Sequence, residues 1–403
     1  MDVIEVNPQG ITAADIVVAL PSLNEATSIA YPVSQADLGL TQHFGGLKAV
    51  IINADNHSPD DTKGVFLKTP THTPKLYLST PPGVKGKGRN LRNLFAKAVE
   101  LGARAVVCVD ADLTSITPRW IKSLAEPILN GCDFVCPLYV RHKFDGNLTN
   151  AMIYPLTRTL FGRRIRQPVA GDFGFSGNMA RAFAESPGWN DVVADYGIDL
   201  WMTTVAMASR RPICQAFLGR PKIHRALKSG EGPGQIFNQV VGTMFHATEV
   251  FADFWNGVRW SRPTAVTGFE DTNGEPPPPV AVDKARLHQA FSEGFAGQGQ
   301  VWKQVLPADL LSKLAEIEAL GLDRFDFPAV VWALVLFEFT LAWRRETVDR
   351  ASLLNALAPL YSGKVLSYVM KTEWMSTRQA EDFIEEECRL FEENKPYLTE
   401  RWT

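Results

Sequence analysis

"VVCVDADLTSITPRWI" spans Val106–Ile121, and its reading decides the fold. An apolar run rich in β-branched residues stops at Asp110 and Asp112, and Thr117–Pro118 then opens a second segment. A short apolar run bounded by turn residues reads as a strand buried on both faces. Thr followed by Pro reads as the N-cap and first position of a helix. Strand, acidic loop and helix make the unit of an α/β domain, which binds ligands at the carboxyl ends of its strands. The two aspartates alone are a weak sign, since Asp is frequent in turns.

The same pattern recurs outward. Ala14–Leu20, Leu47–Asn53, Lys75–Leu78, Ala105–Val109 and Phe134–Val140 are further apolar runs of strand character. After Asn90, the residues Leu91, Leu94, Phe95, Ala98 and Val99 form a helical stripe that Gly102 ends. An α/β fold with a mostly parallel sheet follows. Three runs end in polar or acidic residues: Pro21–Glu25, Asn53–Asn56 and Asp110–Asp112. Three such ends in succession point to one ligand site. No G-x-G-x-x-G follows the first strand and no P-loop motif occurs, which argues against dinucleotide and Walker-type sites.

With 403 residues, a net charge of −3, 45% hydrophobic and 21% charged residues, the chain has the composition of an ordinary globular protein, with no excess of positive charge for gripping nucleic acid. Cys108, Cys132, Cys136, Cys214 and Cys388 show no paired C-x-x-C spacing, so reduced thiols and a cytoplasmic location are expected. The N-terminus lacks the pattern of a signal peptide. Phe327–Trp343 is interrupted by Glu338, which predicts a buried core helix and no membrane span. Four consecutive prolines, Pro276–Pro279, predict a stiff connector. The expected organisation is a catalytic domain over 1–260, a connector over 261–282 and a helical region over 283–403. Helices are expected there at Lys313–Leu320, Val330–Trp343, Ala351–Tyr361 and Arg378–Glu393.

Four more segments carry candidate chemistry. Val84–Asn90 (VKGKGRN) sets basic residues and glycines before a helix, which suits an anion, or else a solvated basic turn. Arg166–Gly174 (RQPVAGDFG) is small enough to admit a ligand to its backbone. In Asp195–Asp199 (DYGID), Asp195 reads as a helix cap and Asp199, one turn on, does not. Lys222–Arg225 (KIHR) holds a histidine, which is either a surface residue or the nitrogen ligand that joins two carboxylates.

In this order, PSLNEA, NADN, GKGRN, DAD, GD, DYGID and HR resemble the GT-A glycosyltransferases. VDADLTSITPRWI, RQPVAGD, DYGIDLWMTTV, KIHR and KVLSYVM are similar to mannosylglycerate and glucosylglycerate synthases, and residues 139–178 especially to the latter.

The resemblance implies a GT-A fold and retaining transfer of glucose or mannose from a nucleotide sugar, GDP-linked by first expectation or UDP-linked. The acceptor would be D-glycerate or a similar small hydroxy acid, and the cofactor a divalent cation, magnesium or manganese, with cobalt also admitted by a histidine ligand. It implies Asp112 and His224 as metal ligands with Asp110 beside them. Pro21, Asn24, Glu25, Asp55, Lys87, Asp110 and Ala111 would face the donor. Arg141, Tyr154, Val169 and Ala170 would face the acceptor, with Arg141 gripping its carboxylate. Asp199 would stand near the reacting sugar. Ala170 replaces a glycine of mannosylglycerate synthase and Tyr154 a threonine, so a larger acid, or a phosphorylated one held by Arg163, Arg164 or Arg166, also fits. The resemblance further implies a homodimer. An inverting GT-A enzyme is the alternative, ahead of a nucleotidyltransferase or a non-catalytic binding protein.

Overall fold

A computed structural model describes residues 3–225, 233–268 and 276–402. The chain forms two compact units, and neither is a simple linear segment. The first holds residues 1–141, 165–230 and 264–277, and the second 142–164, 231–263 and 278–403. A linear cut near residue 260 therefore does not describe the packing. Two stretches before residue 264, 142–164 and 233–263, belong to the helical unit and bury apolar side chains such as Met152, Leu156, Leu160, Val241, Met244 and Phe245.

The first unit is built on a nine-stranded sheet. Its strands are β1 (Ile4–Val6), β2 (Ile16–Ser22), β3 (Ala49–Asp55), β4 (Lys75–Ser79), β5 (Ala105–Cys108), β6 (Phe134–Leu138), β7 (Phe173–Ser176), β8 (Ile213–Phe217) and β9 (Ala265–Thr267). They lie in the order β1-β4-β3-β2-β5-β7-β6-β8-β9. β2, β3, β4 and β5 pair in parallel, as do β6, β8 and β9. β1 and β7 run antiparallel to their neighbours. All seven residues of β2 are buried, as expected for a central parallel strand. β9 lies within the expected 261–282 connector, so part of that segment is sheet. Its stretch 269–275 lies outside the described residues.

The helices of this unit are α1 (Ala30–Phe44), α2 (Thr62–Lys68), α3 (Lys87–Glu100) and α4 (Pro118–Leu129), then α6 (Gly177–Ala184) and α7 (Ile198–Ala208), with α5 (Tyr154–Phe161) belonging to the second unit. α1 packs on α4 and α3 on α6. The chain moves from β2 to β3 and β4 on one side and returns to β5 on the other, so a switch point opens beside β2. Ligands gather at such a point. Thr117 is the N-cap of α4 with Pro118 at its start, but the Thr117 side chain makes no cap hydrogen bond.

The second unit holds α5, α8 (Pro233–Val250), α9 (Ala252–Trp255), α10 (Lys284–Val305), α11 (Ala308–Glu318), α12 (Ala329–Arg345), α13 (Arg350–Thr372) and α14 (Thr377–Arg401). Asp283, Asp349 and Ser376 cap α10, α13 and α14 through their side chains. α12 is the expected core helix: Trp332, Val335, Leu336, Phe337 and Phe339 are all fully buried. Among the described residues, no helix is long and apolar enough to cross a membrane. None of the five cysteines forms a disulfide.

Candidate active site

The site is assembled at the carboxyl ends of β2, β3 and β5 and from four segments that reach that edge. The first layer is the β2–β3 corner. Asp55 ends β3 with no exposed surface. Its Oδ1 accepts from Ser22 Oγ (2.7 Å) and Ser58 Oγ (2.6 Å), and its Oδ2 from Tyr77 OH (2.9 Å) and Ser58 N (2.8 Å). A carboxylate has about four acceptor positions, so the protein fills those of Asp55. It anchors the loop after β2, where Asn24 adopts a left-handed backbone (φ 59°) and donates its N–H to Ser58 Oγ at 2.8 Å. Pro21 lies within β2, and Glu25 is buried, its N–H donated to Thr62 Oγ1 at 2.8 Å.

The basic glycine loop behaves differently from the expectation. α3 begins at Lys87, so the lysine sits inside the first turn. Gly88 N and Arg89 N donate to the carbonyls of Asp195 (3.1 Å) and Ala194 (3.0 Å). A Cβ on Gly88 would collide with the Val193 carbonyl oxygen. The glycine is therefore used for backbone-to-backbone approach, and those N–H groups are spent on the protein. Asp195 does not cap α7, whose N-cap is Gly197. Its carbonyl serves this junction instead, and the junction brings α7 against α3.

The consequence is a buried charge cluster. Lys87 Nζ lies 3.0 Å from Asp199 Oδ2 and 3.2 Å from Asp110 Oδ1. Lys222 Nζ lies 2.7 Å from Asp110 Oδ2 and 3.1 Å from Asp172 Oδ2, and donates to the Ala170 carbonyl at 2.6 Å. Burial would pull Lys87 down, but the Asp110 and Asp199 carboxylates hold it well above its ordinary value. Lys222 is likewise raised against burial, by Asp110 and Asp172. Burial pushes Asp110 upward, yet Lys222 and Lys87 together hold it below the usual carboxylate range. Asp199 is raised by burial, which Lys87 only partly offsets, and its Oδ1 is buried without a hydrogen-bond partner.

Asp112 and His224 form a separate pair. Leu113 and His224 bridge as antiparallel neighbours, and the Arg225 N–H donates to the Asp112 carbonyl at 2.9 Å. This sets His224 Nδ1 2.9 Å from Asp112 Oδ1. Adjacent ligands of an octahedral ion, each at about 2.1 Å from it, lie about 3 Å apart. One imidazole and one carboxylate at this separation fit a divalent cation. Among the described residues, no group of three His, Cys, Asp or Glu side chains could hold a metal ion together. Asp110 does not join the pair, because both its oxygens face lysines. An ion held by Asp112 and His224 would complete its shell with substrate oxygens and water, as magnesium and manganese do.

The acceptor-side residues separate. Arg141 follows β6, and its guanidinium lies 5.4 Å from the centre of the Tyr139 ring. Tyr139 is buried and donates its hydroxyl to Asp172 and to the Ala170 carbonyl, the latter at 3.2 Å. Gln167 braces the loop by accepting from Tyr139 N (3.1 Å) and donating to its carbonyl (3.2 Å). Arg141, Val169 and Ala170 thus belong to one corner. Because β7 is antiparallel, it enters the sheet at the edge where the parallel strands end, which delivers that loop to the site. Tyr154 belongs to the helical unit, where its hydroxyl donates to Glu385 Oε1 at 2.6 Å. Arg163 and Arg164 are in that unit as well, and Arg166 is in the sheet unit.

Sequence reasoning left Lys222, Asp172 and Tyr139 without roles. The usable signal was the K-x-H spacing. Alternate residues of an extended segment share a face, so Lys222 and His224 meet Asp110 and Asp112 together.

Residues 35–185 match the family model described as glycosyl transferase family 2. No curated protein matches the chain. Similar solved structures include glucosyl-3-phosphoglycerate synthase from Mycobacterium tuberculosis with Mn2+, uridine diphosphate and phosphoglyceric acid, at 20% identity over 61% of this chain and 79% of that one, TM-score 0.45. The same enzyme with Mg2+ and uridine diphosphate matches at 20% identity over 59% and 80%, TM-score 0.46. With Mn2+, UDP-glucose and glycerol 3-phosphate it matches at 19% over 59% and 80%, TM-score 0.45.

Proposed function

We propose that this glycosyltransferase moves glucose or mannose from a GDP- or UDP-linked donor to D-glycerate or a related small acid such as 3-phosphoglycerate, with retention at the anomeric carbon. One observation carries the reading: Lys87 bridges Asp110 and Asp199 at the sheet edge that also holds the Asp112–His224 pair.

Each residue then has a task. Asp112 and His224 would hold the divalent cation, which neutralises charge developing on the departing diphosphate. Lys87 adds a fixed positive charge for the same leaving group, in a buried setting where it needs no reorganisation. Asp199 presents its unpartnered Oδ1 to the sugar and stabilises oxocarbenium-like charge. Arg141 grips the acceptor carboxylate, and the backbone of Val169 and Ala170 lines its path. The acceptor hydroxyl attacks the anomeric carbon from the face the diphosphate leaves. The C–O bond to phosphate breaks, and the hydroxyl proton passes to the leaving phosphate oxygen. Asp55, saturated by the protein, shapes the donor loop from behind.

The test is incubation with manganese or magnesium, a panel of GDP- and UDP-hexoses, and D-glycerate or 3-phosphoglycerate. Product formation with the donor's anomeric configuration, read by NMR, is expected. Transfer to no acid overturns the acceptor reading, and an inverted anomer overturns the mechanism.

A further inference from the structure

One buried cation joins the two sides of this site. Lys222 Nζ has Asp110 Oδ2 at 2.7 Å, Asp172 Oδ2 at 3.1 Å and the Ala170 carbonyl at 2.6 Å. The ammonium donates hydrogen bonds to Asp110 and to the Ala170 carbonyl and forms an ion pair with Asp172, so its charge is already committed to the protein. The side chain is only 7% exposed.

Its neighbours close a ring. The Asp110 N–H donates to Asp172 Oδ1 at 2.9 Å, and the Tyr139 hydroxyl meets both Asp172 and the Ala170 carbonyl. On its other oxygen Asp110 faces Lys87, which faces Asp199. Gly171 supplies an independent mark. It lies at φ 81°, and a Cβ there would stand 2.6 Å from Asp110 Oδ2 and 2.7 Å from Lys222 Nζ. The residue between Ala170 and Asp172 must lack a side chain for the ammonium to reach all three partners.

We infer that Lys222 is a positioning residue that locks the loop Pro168–Asp172 to Asp110, and through Asp110 to the Lys87–Asp199 pair. It thereby sets the distance between acceptor and reacting sugar without touching either. The inference deepens the proposed function and rests on it for the identity of the two sides; the lock itself rests on the contacts above.

The experiment compares wild type with Lys222→Met, Lys222→Arg and Gly171→Ala. Three quantities are read: hydrogen exchange of the 169–173 amides without ligand, Kd for UDP and GDP with manganese by calorimetry, and kcat with acceptor KM. Lys222→Met is expected to speed exchange in 169–173 about tenfold or more. It should raise acceptor KM about tenfold and lower kcat, because small misplacements near reacting atoms are costly. Nucleotide Kd should move less than about threefold, a change under about 1 kcal/mol. Lys222→Arg should recover part of the acceptor KM, and Gly171→Ala, which keeps every charge, should reproduce the loss. Gly171→Ala also carries the test if Lys222→Met fails to fold. Unchanged exchange and acceptor KM overturn the inference, as does a nucleotide Kd that weakens as much as acceptor KM. If wild type transfers to no acid while exchange still rises in the variants, the proposed acceptor falls and the lock stands.

Discussion

Lys87 and Asp199 are 112 residues apart in the chain and meet at 3.0 Å, Nζ to Oδ2. Their meeting depends on a glycine, since Gly88 admits the 193–195 backbone against the start of α3. The pair is therefore a product of packing as much as of charge.

Removing the lysine charge should harm both stability and turnover. Lys87→Met leaves Asp110 with one lysine and Asp199 with none within salt-bridge distance. Breaking a buried pair by deleting one partner costs about 3–5 kcal/mol, and loss of a preorganised charge at a leaving group costs about 100-fold or more in kcat. Urea unfolding and steady-state kinetics read the two effects. A variant of wild-type kcat would remove Lys87 from the donor site.

Gly88→Ala should separate the same pair without changing any charge. The added methyl meets the Val193 carbonyl, so α3 and the 193–195 loop must part. Turnover should fall about tenfold or more, since reacting groups lose their alignment. Wild-type kcat in this variant would show that the loop yields without moving Asp199.

His224→Ala and Asp110→Asn should differ in kind. His224→Ala removes one of two proposed ligands and should weaken manganese activation about 10- to 100-fold, read as the half-saturating metal concentration. Asp110→Asn keeps the shape but breaks two ion pairs, so kcat should fall while the metal titration stays near wild type. The reverse pattern would make Asp110 the ligand.

The helical unit should show its own pH dependence. Lys395 is buried and donates to the carbonyls of Trp255 (2.7 Å) and Val258 (2.5 Å). Burial pulls its pKa down to about 8, and Glu392 offsets this only in part. Between that value and the ordinary lysine range the unfolded chain binds the extra proton. Stability should therefore rise with pH across about 8 to 10.5, by about 3 kcal/mol. The measurement is the difference in unfolding free energy between wild type and Lys395→Met. A difference that stays flat across the window contradicts a lowered pKa.

Five of the nine strands, β2 to β6, are legible in their apolar runs, each displaced by no more than a residue or two; β1, β8 and β9 are not. Ala14–Leu20 became Ile16–Ser22 because polar Ser22 and Asp55 remain in register at the strand ends and bond to each other. β7 was not legible: Phe173–Ser176 is four residues with a glycine inside, too short for a pattern. The acidic strand ends were visible because they follow the runs directly. The contacts of Lys222 are less legible: its charged partners lie far away in sequence, and only the K-x-H spacing, which matches D-x-D, hints at the one with Asp110. The family likeness supplied a role for Tyr154, and its contact with Glu385 in the helical unit gives that hydroxyl another partner. α8 and α10 are harder to read from the sequence because their apolar stripes are broken by polar residues and glycines.

The excursion of residues 142–164 sets an order of events during synthesis. Arg158 reaches its buried partner Glu392 only across 234 residues of chain, and Tyr154 reaches Glu385 across 231. When those residues leave the ribosome, the helices that cover them have not been made. The segment therefore lacks those partners until the C-terminal helices are made. Such long-range closure is slow, and waiting segments of this kind are where nascent chains aggregate or recruit chaperones. Cutting the gene after the last sheet strand would make that wait permanent.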